Sequence, residues 1–330
     1  MLVAASALGV GLEPGEAHIL RQSAPTCTLG EEPALSMGDN GGDRPGRFAN
    51  ANHKTGTVLS LCLAKVVRQA VSVNVHVNEH VSHGFSVDAW AVNMVRNVFV
   101  LVHSGYEYHK NPATDEPWLD VPFSEQTKGH SAKAGRWQGA LSAYHSYSDG
   151  GCAPTAVLNE RMSYREALNA LELADGLLLE SLRALHRDVP YMLAAAAACS
   201  RVAAISTSRP PVCANVALDI LDEDLQAGFE NTLSPTLRLD DWRNASLSTR
   251  FASACGDPGA HGTDTSGRTE AVKTIRALDA ARLGGRLQRA EAQLDELLGE
   301  PVAARALDAY LRARRPRGQP IRNGIQREQA

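Results

Sequence analysis

The stretch RFANANHKTGTVLSLCLAKVV, residues 47–67, decides how the rest of the chain is read. RFANAN, residues 47–52, predicts a short strand, and the apolar run from Val58 to Val67 predicts a helix. Between them stands His53-Lys54-Thr55-Gly56-Thr57. A phosphate group needs backbone N–H donors at close range, a helix N-terminus and a mobile cation. Gly56 permits the close approach, the following helix turns its positive end to the anion, and Lys54 supplies charge. The lysine precedes the glycine, so the order is not the G-x-x-x-x-G-K-[ST] of nucleotide triphosphatases. A helix capped by Thr55 or Thr57 beside an exposed lysine explains the same residues, and this segment alone leaves both readings open.

Working outward, VSVNVHV at residues 71–77 alternates at period two and predicts a second strand. Trp90–Val95 predicts a third, followed by a helix from about Val98 to His109. Strand, loop, helix, strand, strand, helix within one short stretch predicts an α/β domain: a parallel β-sheet flanked by helices. Arg96 ends the third strand, and Ser104 lies two turns along the helix that follows. A guanidinium fork and a hydroxyl in that relation would hold one further phosphate.

With these two segments in view, the chain resembles the sulfotransferases that use 3′-phosphoadenosine 5′-phosphosulfate (PAPS). Their phosphosulfate loop has the form [HP]-K-T-G-T-x-x-L, matched from His53 except that the leucine comes early, at Leu59. Their 3′-phosphate segment, R-[ND]-P-x-x-x-x-x-S-x-Y-x-[YF]-H, is matched by Arg96, Asn97, Ser104, Tyr106, Tyr108 and His109, with Val98 in place of proline. Weaker likeness continues through 164–180 and 212–237. The resemblance implies a P-loop-NTPase-like sulfotransferase fold with PAPS as co-substrate and no metal. It implies that Lys54 binds the 5′-phosphosulfate and neutralises the leaving oxygen, and that Thr55, Gly56, Thr57 and Val58 donate hydrogen bonds to that phosphate. Arg96 and Ser104 would bind the 3′-phosphate. The base that takes the acceptor proton would come from the end of the second strand: His76 first, then His80, with Glu79 open. The stretch between Lys54 and Arg96 is shorter than in the animal cytosolic enzymes, and their C-terminal R-K-G loop is absent. Asp241-Trp242-Arg243-Asn244 is similar to the family's G-D-W-K-N but lies far from the C-terminus. His261-Gly262-Thr263 and Arg268 are candidates for covering the cofactor, against which stands an ordinary solvated loop.

Pattern and resemblance together divide the chain into a poorly ordered lead-in at 1–45, a domain at 46–300 that the resemblance implies is a sulfotransferase domain, and a C-terminal helix and basic tail at 301–330. Residues 110–160 read as loop with short elements, and 164–185 as one amphipathic helix. Tyr191–Ile205 reads as a buried Ala-rich helix, 212–218 as a late strand, and Asp222 to about Leu237 as a helix. A polar loop follows at 243–267, then helices at 268–298 and 302–314.

Formal net charge is −4, so no global basic field recruits nucleic acid. With no run of about 18 apolar residues, no membrane span is expected. Met1–Gly11 is apolar but lacks a basic start and breaks at Leu12-Glu13-Pro14-Gly15, which reads as an untargeted or incomplete N-terminus. A cytoplasmic location follows, with a Golgi or secretory one if the N-terminus is incomplete. The six cysteines show no C-x-x-C pair and read as isolated buried thiols. The resemblance implies a small-molecule or carbohydrate acceptor, and Tyr106, Tyr108, Trp118 and Trp137 either wall its pocket or pack in the core. His76, His80 and His83 suggest a metal, but a strand-like pattern separates their rings and no acidic or cysteine fourth ligand is nearby. Two rival functions remain. A papain-like cysteine peptidase would use Cys152 as nucleophile and Gln126 for the oxyanion, with His186 or His261 as base. A non-catalytic nucleotide-binding protein would keep the fold and lose the chemistry.

Overall fold

The computed structural model describes residues 27, 46–51, 57–71, 73–79, 89–126, 134–149, 151–152, 158–206, 212–219, 225–239, 245–255, 267–299 and 305. Four strands form one parallel sheet: β1 (Gly46–Ala51), β2 (Val75–Glu79), β3 (Ala89–Val95) and β4 (Cys213–Ala217), in the order β2-β1-β3-β4. Helices cover both faces, so the α/β class expected from the sequence holds. On one face α1 (Thr57–Val71) packs over Ala49, Ala51 and Met94 with Leu63 and Val67. On the other, Ala91 and Cys213 meet Cys199 of a later helix.

The second strand begins later than the alternating pattern suggests. Residues 71–77 carry the period of a strand, yet Val71 closes α1 and β2 starts only at Val75. The amphipathic stripe of α1 runs on through Val66 and Val67, and burying it outweighs the local β propensity of Val71.

Beyond β3, α2 (Val98–Lys110) is buried along most of its length. Asn97 starts it by accepting hydrogen bonds from the Phe99 and Val100 amides at 3.0 and 3.1 Å, so no proline is needed at Val98. Two stretches expected to be loop contain helices. These are α3 (Ala134–Ser148), which buries Ala140, Ala143 and Tyr147, and the later Ala245–Cys255.

The single helix expected over 164–185 is two. α4 (Tyr164–Ala170) opens on a Ser163–Glu166 capping box, and Leu171 and Glu172 then adopt extended backbone. α5 (Leu173–Arg183) runs through a π-turn at Ala184–Asp188 into α6 (Val189–Ile205). The break re-aims the chain so that Gly176 meets the Tyr106 ring and Glu180 enters the core beside Gly105.

By length and composition Leu173–Ile205 is long and apolar enough to cross a membrane, which the sequence reading did not anticipate. In this fold it carries a buried charged cluster at Glu180, Arg183 and Asp188, and its α6 portion packs on β3 and β4.

After β4, α7 runs from Leu225–Gly228 through a π-turn to Ser234–Thr236. Next, α8 (Ala245–Cys255) packs on α1 through Leu247 and Phe251. The helix expected over 268–298 divides into α9 (Arg268–Arg282) and α10 (Arg286–Leu298), because Gly284 and Gly285 take positive φ. Asp279 caps α10, its carboxylate oxygens accepting from the Leu287 and Gln288 amides, each at 3.0 Å.

All six cysteines are paired, so the reading of isolated thiols is corrected. The pairs are Cys27–Cys152, Cys62–Cys255 and Cys199–Cys213, with Cα atoms 4.9, 5.8 and 5.4 Å apart. Sequence separations of 125, 193 and 14 residues explain why spacing did not reveal them: the tertiary fold brings the partners together.

Candidate functional site

The chain leaves β1 to one side, to form β2, and then crosses to the other for β3 and β4. The direction of winding therefore switches between β1 and β3. In open parallel sheets the crevice at such a switch, outside the carboxyl ends of the strands, is where ligands bind. Arg96-Asn97, after Val95, reaches it, while residues 52–56, which follow Ala51 in the sequence, lie outside the described residues. Both were singled out from the sequence.

Lys54, Thr55 and Gly56 lie outside the described residues. Thr57 opens α1 half-buried, and Val58 beside it is 42% exposed. No acidic residue stands in the first turn of α1, so nothing there opposes an anion at the helix N-terminus.

Arg96 and Ser104 come together. The Arg96 Nη1 donates to Ser104 Oγ at 2.9 Å, and both residues are buried. Because the hydroxyl oxygen accepts from the guanidinium, its own hydrogen is directed elsewhere. Arg96 is also held by a residue that the sequence reading missed. Its Nε and Nη2 each stand 3.0 Å from Oδ1 of Asp219, two residues past the end of β4. Burial pushes the Asp219 carboxyl above its ordinary range, and the Arg96 charge pulls it back. The signal available beforehand was an acidic residue just beyond the carboxyl end of an expected strand.

His103, also buried, lies beside this cluster. Burial first, and then the charges of Arg268 and Arg96, lower its pKa to about 4, so the ring is neutral near pH 7. Arg268 is not in a solvated loop. It is the first residue of α9, 2% exposed, and acts electrostatically on both His103 and Asp219. Arg96 and Arg268 bring two guanidinium groups to the cluster, beside the Asp219 carboxylate and Glu107, which stands 3.9 Å from His103, and guanidinium donors suit an anion.

The base candidates separate by register. His76 is the second residue of β2 and pairs with Phe48, whose ring centroid is 5.5 Å away. Glu79 ends β2 and pairs with Ala51, the last residue before the 52–56 segment. At about 3.3 Å per residue, His76 sits roughly 10 Å below the crevice end of the sheet. His80 and His83 lie outside the described residues.

Behind the crevice, three asparagines at one level join three strands. Asn50 donates to Asn93 and Asn93 to Asn215, each at 2.7 Å, and Asn215 donates to the Ala196 carbonyl and to Ser200 Oγ. By register Asn78 of β2 stands at the same level. The ladder ties β1, β3 and β4 laterally two or three residues below the site.

The aromatic candidates for an acceptor wall belong largely to the core. Tyr106 is buried against Gly176, and Trp118 packs on His109 and Tyr164. The Tyr108 hydroxyl donates to Glu116 at 2.8 Å, and the Trp137 side chain lies outside the described residues. His109, in the last turn of α2, is likewise internal, its Nδ1 3.0 Å from Glu180.

The peptidase reading is lost. Cys152 is bonded to Cys27 and carries no thiol, while the Gln126 amide donates to the Val121 carbonyl at 3.0 Å. His186 stands 2.9 Å from Ser146.

Site and fold together define a parallel α/β protein with a buried arginine–carboxylate cluster at its switch point. No protein-family model, curated protein or solved structure matches the chain.

Proposed function

We propose that the chain is a sulfotransferase that moves a sulfuryl group from PAPS to a hydroxyl or amine of a small molecule or glycan. The observation that carries the reading is the Arg96–Ser104 pair beside the switch point, just beyond the carboxyl end of β3, the strand paired with β1. Arg96, Ser104 and Arg268 take the 3′-phosphate. Lys54 and the amides from Thr55 to Val58 take the 5′-phosphosulfate. The acceptor atom attacks sulfur in line with the bond from sulfur to the phosphate oxygen. That bond breaks, adenosine 3′,5′-bisphosphate leaves, and Lys54 stabilises charge growing on the bridging oxygen. Glu79, level with the end of β1, is better placed than His76 to accept the acceptor proton.

Three disulfides favour an oxidising compartment, the secretory route rather than the cytoplasm.

The test is transfer of label from PAPS to pooled phenols, amines and glycans, beside thermal melting with nucleotides. Adenosine 3′,5′-bisphosphate should raise the melting temperature more than adenosine 5′-monophosphate does. Lys54→Ala should keep the fold and lose about a hundredfold or more in turnover. A protein stabilised by the bisphosphate that transfers no label to any acceptor class would be the non-catalytic nucleotide binder instead.

A further inference from the structure

We propose that Asp219 positions Arg96 for the 3′-phosphate, and so sets the preference for a 3′-phosphorylated adenine nucleotide over the 5′-monophosphate. The proposal rests on the assignment of Arg96 and Ser104 to that phosphate. A free arginine side chain samples many rotamers, and ordering it on binding costs affinity. Here the fork is ordered in advance: Nε and Nη2 converge on Oδ1 of Asp219, and Nη1 reaches Ser104. Both Arg96 and Asp219 are buried, so water does not screen the pair.

The sheet, rather than a loop, fixes where the two meet. Ala217 pairs with Val95 across β3 and β4, which puts Asp219 two residues beyond one strand end and Arg96 one residue beyond the other. The Asn93–Asn215 bond secures that same strand pair from below.

Charge and position make opposite demands on this residue. Asp219 faces Arg96, Arg268 and the Asn97 amide, and it is the carboxylate bonded to Arg96. If it acted only through its charge, removing that charge would strengthen the field on an incoming phosphate and tighten binding. If it acts by holding the fork, exchanging the carboxylate for an amide turns the two charge-assisted bonds to Oδ1 into weaker neutral ones, loosens Arg96 and weakens binding. The sign of the effect therefore decides between them.

The experiment measures dissociation constants of adenosine 3′,5′-bisphosphate and adenosine 5′-monophosphate by calorimetry for the full chain and for Asp219→Asn. The unaltered protein should prefer the bisphosphate. Asp219→Asn should weaken the bisphosphate by about tenfold, the scale of one charge-assisted contact, and leave the monophosphate unchanged. Binding of the bisphosphate that is unchanged or tighter overturns the proposal, and so does equal weakening of both ligands, which marks a general structural defect. Absence of any preference in the unaltered protein overturns the assignment of Arg96 itself, and the proposal with it. Should Asp219→Asn fail to fold, Asp219→Glu keeps the charge and moves it by one methylene. Its preference should also fall, and an undiminished preference overturns the proposal.

Discussion

Glu180 is a charged residue set in the middle of the core. It is fully buried, and its oxygens are met by His109 at 3.0 Å, the Tyr164 hydroxyl at 2.8 Å and the Arg183 guanidinium at 2.8 Å. Burial works to raise its pKa, but the Arg183 and His109 charges prevail and lower it from 4.5 to about 2. A depressed carboxylate stabilises the fold above its unfolded pKa, and that contribution fades as pH falls through the folded value. Melting temperature should therefore decline between pH 4.5 and about 2, and Glu180→Gln should flatten this acid limb. At neutral pH the same variant should lose about 3–5 kcal/mol, measured by denaturant unfolding, because Arg183 and His109 lose the charge they face. The Arg96–Asp219 pair is a smaller arrangement of the same kind placed at the site.

At the scale of elements, α2 and α5 are brought together by two glycines. A Cβ on Gly105 would stand 2.3 Å from Glu180 Oε1, and one on Gly176 would stand 2.8 Å from the Tyr106 ring. Gly105→Ala must displace a buried carboxylate from its partners, so it should cost about 2 kcal/mol or more in chemical unfolding. Gly176→Ala presses on an aromatic ring and should cost about 1–3 kcal/mol. Because α2 carries Ser104, Gly105→Ala should also weaken nucleotide binding, read in the same titration used for Asp219→Asn. The asparagine ladder joins elements in another way. Asn93→Leu leaves the Asn50 amide and the Asn215 carbonyl without their bonds to Asn93, and should cost about 2 kcal/mol in the same unfolding assay.

For the whole molecule, the disulfides set the boundary conditions. Cys27–Cys152 draws a residue of the N-terminal stretch against the helical side, where the Cys27 amide also donates to the Arg282 carbonyl at 2.9 Å. Cys199–Cys213 fastens α6 to β4. Cys62–Cys255 closes the longest loop, 193 residues, and joins the helix after the 52–56 segment to α8. In the chain-entropy account a loop of that length contributes about 5 kcal/mol. Cys62→Ser should therefore lower the melting temperature substantially. Intact mass of the protein should be six hydrogens lighter before reduction than after, two for each of the three bridges. A chain recovered from an oxidising compartment with six alkylatable thiols would contradict the pairing.

Local signals in the sequence determined the elements nearest the site. The strand and the helix within 47–67 are legible because strand period and helix period follow one another closely in the sequence. Arg96 and Ser104 were legible as a pair because two helical turns separate them. Long-range pairing decided the rest. Val71 belongs to a helix because the α1 stripe reaches it, and 245–255 is helical because α1 and Cys62 wait to receive it. The pairing register of β1 with β2 put Glu79 rather than His76 level with the end of β1. Asp219 reaches Arg96 across 123 positions only once β3 and β4 are paired. Periodicity records which face of an element is buried, and it holds no record of which distant residue buries it. The cysteine partners, the asparagine ladder and the carboxylate that holds the arginine are all of that second kind, so only the tertiary fold decided them.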